Sequence, residues 1–207
     1  MSTRTRLPPA TRLSYLPDTD RAEILDILFE PSPALHSIFL PLTGAQTFRS
    51  YKHLITATGT KLFSLAESSK SEDLRELEHV LSSHPRLGEK KVESAMSKME
   101  QAAMLKASGE GEGGEAKAKE AETLRALNKE YEETFPGLRY VVFVNGRPRT
   151  AIFENMKSRI ARGDIAEERR EAIQVCFPQL ICADTGMLLT LEQAMCDIAE
   201  DRVKKLL

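Results

Sequence analysis

Apolar residues recur at three- and four-residue spacing through nearly the whole chain, and that pattern restricts it to packed helices. Residues 19–30 carry Ile24, Ile27 and Leu28 on one stripe behind Asp18 or Thr19 as a cap, and Pro31 and Pro33 end the stretch. Residues 47–66 align Phe48, Tyr51, Ile55, Leu62 and Leu65. A third helix, 71–82, opens on Ser71, Glu72 and Asp73, which suit a positive helix start, and buries Leu74, Leu77 and Leu81. Further helices are expected over about 90–107, over 118–133 with Leu124, Leu127 and Tyr131, and behind Thr150 with Ile152, Met156 and Ile160. Two more cover 165–183, interrupted by Pro178, and 190–206. One run breaks the pattern: RYVVFV, 139–144, is β-branched and aromatic and reads as extended before the Asn145-Gly146 turn. With no second strand to pair, it is expected between helices, its amides needing other partners, a bound ligand among them. The fold expectation is all-α: a single-domain bundle of about eight helices with one extended segment near 139–144.

Composition agrees and excludes some functions. The chain has 207 residues, 41% apolar and 29% charged, enough for one domain with a real core. A net charge of −2, with no basic run or face, gives nucleic acid no footprint. No apolar stretch approaches the roughly 20 residues that span a bilayer. The first residues, MSTRTRLPPATR, are basic but lack the apolar core of a secretory signal, so 1–16 is expected to be a disordered leader before a domain over 17–207. Insertions are expected near 107–119 and 176–189. The first contains the glycine-rich, charged ASGEGEGGEAKAKE, a solvated segment or, at its far end, a helix lead-in. Cys176, Cys182 and Cys196 form no CxxC pair and read as buried free thiols of a reducing compartment. The expected location is the cytoplasm, with the peroxisome as the alternative although the C-terminal KKLL is not an SKL-type address.

Three places could carry chemistry. His36, His53 and His79 fall in helical stretches and read as surface or packing residues. His84 differs: it follows the 71–82 helix, and Pro85 restricts it to extended backbone, a rigid corner from which a side chain can enter a cleft. The competing reading is a histidine favoured by a helix C-terminus. On the 90–107 helix, Val92, Met96, Met99 and Ala103 share one face, while Ser97, Glu100 and Gln101 form either a polar wall or an ordinary solvated face. Arg159 follows Ile152 by seven residues and Met156 by three, which turns it coreward. There it either needs an anion or carbonyl partner, with Glu100 the nearest candidate by motif order, or it snorkels. No P-loop, GxGxxG, GxSxG or HExxH occurs, and His and Glu assemble into no metal set at recognisable spacing.

The ordered series FEPSPAL (29–35), TFRSYKHL (47–54), SSHPRLGEK (82–90), SKMEQAAM (97–104), LNKEYEETF (127–135), VVFVNGR (141–147), the helix ending SRI (158–160) and LEQAMCDIAEDRVKKL (191–206) resembles the OHCU decarboxylases. These enzymes act on 2-oxo-4-hydroxy-4-carboxy-5-ureidoimidazoline in uric acid breakdown. The likeness spans about 175 residues, and HPRLGEK followed by SxxEQ is its most specific part. Two departures stand out: Ala34 replaces an aromatic after Ser-Pro, and FPGLRY replaces a Phe-Gly-Phe-Pro-Phe pattern.

The resemblance implies an all-helical homodimer, no cofactor, no metal, and a small ureide substrate converted to (S)-allantoin. By position it implies that His84, Glu100 and Arg159 are catalytic. It places Pro85, Ser97, Lys98, Met99, Glu100, Gln101, Tyr140, Val141, Val142, Phe143, Val144 and Arg159 at the substrate. The chemistry suits these residue types. Electrons left by departing CO2 delocalise into the substrate's conjugated ring, so no metal or pyridoxal sink is required. A histidine can accept the hydroxyl proton or supply the one needed afterwards. Gln101 and extended backbone match paired amide edges, and Glu100 can accept ureide N–H bonds. Arg159 gripping the leaving carboxylate would stabilise the ground state, so it is better used against oxygens where charge grows. The charged insertions and FPGLRY keep two other readings open: a non-catalytic helical interaction domain, and an enzyme on a different ureide.

Overall fold

The structure, a computed structural model, describes residues 6–89, 114–142, 147–173 and 194–206. The elements are a 3-10 turn (Ala10–Tyr15), α1 (Asp18–Phe29), α2 (Pro33–Ala45), α3 (Tyr51–Ala66), α4 (Ser71–Leu81), α5 (Gly114–Thr134), α6 (Arg149–Arg162), α7 (Ile165–Ile173) and α8 (Ala194–Leu206). Among the described residues there is no strand, and the fold is all-α. Helix α3 packs on α4, α7 and α8, α1 lies against α2 and α8, and α5 pairs with α6. None of these helices is long and apolar enough to cross a membrane. The 90–107 helix and the 176–189 insertion lie outside the described residues.

The apolar stripes are where the spacing puts them. Phe48, Tyr51, Ile55, Leu62 and Leu65 are all buried, as are Leu124, Leu127 and Tyr131. Starts and stops follow local chemistry. The side-chain oxygens of Ser32 and Ser50 accept from Leu35 N (3.3 Å) and His53 N (3.2 Å), capping α2 and α3. Proline marks a start as readily as an end: Pro33 is in the first turn of α2, where its missing N–H costs nothing, and that helix continues through Pro41. Helix α6 begins at Arg149 after Pro148, with Thr150 inside the first turn and no side-chain cap, and it closes at Gly163 with φ 64°. The far end of the glycine-rich insertion is helical from Gly114, the lead-in alternative.

The disordered leader is corrected for residues 7–16. Leu7, Ala10 and Leu13 are buried, and Leu16 packs against the core. Their spacing of three is the period of a 3-10 turn, so one edge of a short basic segment is apolar. Leu7 N donates to Leu206 O (3.3 Å), and the Tyr51 hydroxyl donates to Pro8 O (2.8 Å), tying the segment to α8 and α3.

Candidate functional site

The loop after α4 is held at several of its described residues, 82–89. Ser82 and Ser83 close the helix through bonds to Glu78 O (2.8 Å) and Val80 O (3.2 Å). Pro85 disfavours helical backbone at His84, which sits in a bend after α4. The Arg86 guanidinium forks onto Glu132 of α5, at 2.5 Å from Nε and 2.8 Å from Nη2. Asn128 Nδ2 donates to Leu87 O (3.1 Å). Gly88 has φ 80°, and a Cβ there would lie 2.4 Å from Leu124 Cδ2. Gly88→Ala should therefore cost about 1–2 kcal/mol through the left-handed backbone alone. Urea unfolding checks this; an unchanged midpoint would show that the loop relaxes freely.

His84 is 5% exposed, and its Nε2 is buried with no hydrogen-bond partner among the described residues. Its backbone carbonyl accepts from Arg139 Nη1 (3.0 Å). Burial pushes the imidazole down to about 4; the Glu30 carboxylate opposes this, and Arg202 and Arg139 add to it. The ring is thus neutral at pH 7, with one nitrogen uncommitted. A stability test follows. Unfolded His84 takes a proton near 6.5 and folded His84 only near 4. Between those values the unfolded chain binds more protons, so stability rises with pH. His84's contribution is complete above pH 6.5 and lost towards pH 4, about 3 kcal/mol in all. Urea midpoints compared between pH 7.5 and 4.5 should show a smaller drop in His84→Asn than in the native chain; equal drops would contradict a buried neutral ring.

Residues 139–142 belong to no helix and, among the described residues, pair with no strand; 143 and 144 lie outside the described residues. Tyr140, Val141 and Val142 are buried. Arg159, 3% exposed, donates from Nη1 to Val141 O (3.2 Å) and stacks its guanidinium on the Tyr140 ring, 4.9 Å from the centroid. The Tyr140 hydroxyl donates to Asn155 Oδ1 (2.5 Å). The remaining reach of Arg159 goes to Glu168: Nε lies 2.9 and 3.0 Å from the two carboxylate oxygens, and Nη2 also donates to it. Tyr131 and Arg162 bond the same carboxylate, and Glu171 lies 3.6 Å from Arg159 Nε. Among the described residues the partner of Arg159 is Glu168; Glu100, the partner expected from the sequence, lies outside them. One N–H on each terminal nitrogen of Arg159 stays uncommitted there.

Arg139 at the His84 carbonyl and Val141 at Arg159 are two residues apart, so this segment links the histidine loop to the buried arginine. Pro85 is half-buried beside His84. Ser97, Lys98, Met99, Glu100, Gln101, Phe143 and Val144 lie outside the described residues. The other histidines read as expected: His53 and His79 are exposed, and His36 bonds Asp26 (2.6 Å) at the surface. A cleft of about 640 Å³ lies between residues 86–89 and α5, lined by charges of both signs; His84 does not line it. The cleft and the buried imidazole are therefore separate places in the fold.

Residues of this assembly absent from the sequence-based site include Glu30, Arg139, Glu168 and Arg202. Arg202 had a signal, since it falls three residues after Ala199 and one before Val203, on the apolar side of its helix. Glu168 had the same one, three after Ile165 and four before Ala172. The OHCU decarboxylase family model matches residues 14–176. No curated protein and no solved structure matches the chain.

Proposed function

Since the chain belongs to the OHCU decarboxylase family, with a role in urate degradation, we propose that it decarboxylates 2-oxo-4-hydroxy-4-carboxy-5-ureidoimidazoline to (S)-allantoin, with His84 as the proton-transfer residue. The observation that carries this is the buried, neutral imidazole with Nε2 uncommitted, on a loop held by Arg86, Leu87 and Arg139 contacts. In the empty protein the ring is a weak base. A bound carboxylate-bearing substrate adds negative charge at short range and raises its proton affinity. The ring then takes the hydroxyl proton as CO2 departs and returns a proton to one face of the ring carbon. Electrons from the breaking C–C bond flow into the conjugated imine, so the reading needs no cofactor and no metal.

The other assignments take narrower roles. Arg159, largely neutralised by Glu168, is suited to holding the 139–142 backbone and directing its two uncommitted N–H groups at substrate oxygens. Glu100 and Gln101 are proposed to pair with the ureide edge, with Ser97, Lys98, Met99, Phe143 and Val144 around it, and Pro85, Tyr140, Val141 and Val142 shaping the near wall. The same reading includes a homodimer in the cytoplasm. The test is a rate. Freshly generated OHCU should disappear faster with the purified chain than by spontaneous decay, and a chelator should leave the rate unchanged. Decay at the spontaneous rate would overturn the reading, and strong chelator inhibition would overturn its metal-free form.

A further inference from the structure

Arg139 belongs to FPGLRY, the stretch where the chain departs from the apolar Phe-Gly-Phe-Pro-Phe pattern, so it brings a side-chain donor to a place where that pattern has none. The donor has a specific use. Arg139 Nη1 donates to the backbone carbonyl of His84 (3.0 Å), 55 residues earlier in the chain. Gly137, with φ 89°, sets the turn before it against α4: a Cβ there would lie 3.4 Å from Glu78 Oε2. Two residues after Arg139, Val141 O accepts from Arg159 Nη1 (3.2 Å). This stretch is thus tied at three points: to the helix that leads into His84, to His84 itself, and to Arg159.

His84 is buried, and its Nε2 has no partner among the described residues. The imidazole is therefore placed by packing and by the backbone that carries it. Contacts on either side hold that backbone: Ser83 N donates to Val80 O (3.2 Å) before it, and Asn128 Nδ2 to Leu87 O (3.1 Å) after it. At His84 itself the contact is Arg139. A buried carbonyl needs a donor, but a backbone N–H or a water would satisfy it equally. A guanidinium from the segment that also receives Arg159 does more, because it ties the place of one candidate catalytic side chain to that of the other. We propose that Arg139 is a positioning residue for His84, clamping the histidine's carbonyl so that the ring and the Arg159 guanidinium keep one spacing across the substrate; the use of that spacing rests on the decarboxylase reading above. Displacing a reacting group by about 1 Å can cost about 10²-fold in rate. A displaced ring would also return its proton to both faces of the ring carbon, whereas a chain that is merely less stable makes less product of unchanged handedness.

Arg139→Met keeps the apolar stem and removes the donor. It should keep the fold by far-ultraviolet circular dichroism and lower kcat on fresh OHCU by about 10–10²-fold, with KM nearly unchanged. The enantiomeric excess of the allantoin formed above the spontaneous rate should fall as well. Arg139→Lys, a cationic donor on a shorter arm, should lie between this variant and the native chain. NMR of the full chain with labelled histidine, assigned with His84→Gln, reads the clamp without substrate. The His84 ring signal should move in Arg139→Met while those of His36, His53 and His79 stay in place. A folded Arg139→Met with the native His84 signal overturns the proposal, and so does lost turnover with native enantiomeric excess. Should Arg139→Met fail to fold, Arg139→Gln, whose amide ends short of the carbonyl, must show the moved signal, and a native signal overturns the proposal. A native chain that does not turn over OHCU ends the decarboxylase reading, and the NMR result alone then decides the clamp.

Discussion

His84→Asn should slow OHCU turnover by about 10²–10⁴-fold, the usual cost of losing a positioned acid–base group, in a chain that still folds. The expectation follows from the ring's surroundings. Its anchors are on the backbone, through Arg139 at the carbonyl and Pro85 behind it, not on the imidazole. Asparagine keeps a polar group of similar reach but has no nitrogen that can take and return a proton. Far-ultraviolet circular dichroism checks the fold and steady-state rates check the effect. Turnover within a few-fold of native would make His84 a packing residue.

The largest stability effect is expected at Glu168. Its carboxylate is completely buried and serves Arg159, Arg162 and Tyr131 together. Burial, and then the charge of Glu168 beside it, hold the Tyr131 phenol far above its ordinary value. Glu168→Ala would leave the Arg159 guanidinium, which stays charged, with Glu171 as its carboxylate partner, at 3.6 Å. Breaking a buried pair in this way costs about 3–5 kcal/mol, a large part of the 5–15 kcal/mol of a typical domain. Glu168→Leu combined with Arg159→Met should lose less than Glu168→Ala, because it removes both charges and keeps volume. Urea unfolding measures both. A double variant less stable than the single one would show that the network contributes more than the burial of its charges costs.

Much of the fold was legible because apolar spacing reports burial directly. The α3 and α5 stripes are core residue for residue, and the described part of the 139–144 run, 139–142, stands outside every helix. Two features were hidden by ambiguous signals. Pro33 reads as a terminator, and only the Ser32 cap reveals it as a beginning. Basic residues masked the three-residue stripe Leu7–Ala10–Leu13 of the N-terminal turn. Local placement was legible where a motif imposes geometry: His84 before Pro85 is buried, and Arg159 is turned inward on its wheel. It was not legible where charges meet across elements. Arg159 finds Glu168 nine residues on, and Glu30 finds Arg202 from the opposite end of the chain. No spacing rule encodes those pairs; only the packing of α1 on α8 and of α6 beside α7 does.

The central claim is a stereospecific proton return from a buried imidazole, and the optical activity of the product tests it most directly. Allantoin formed from fresh OHCU in the presence of the native chain should show the circular dichroism of the (S) enantiomer, and His84→Asn should lose that signal. Racemic allantoin from the native chain, formed at the spontaneous rate, would contradict the account.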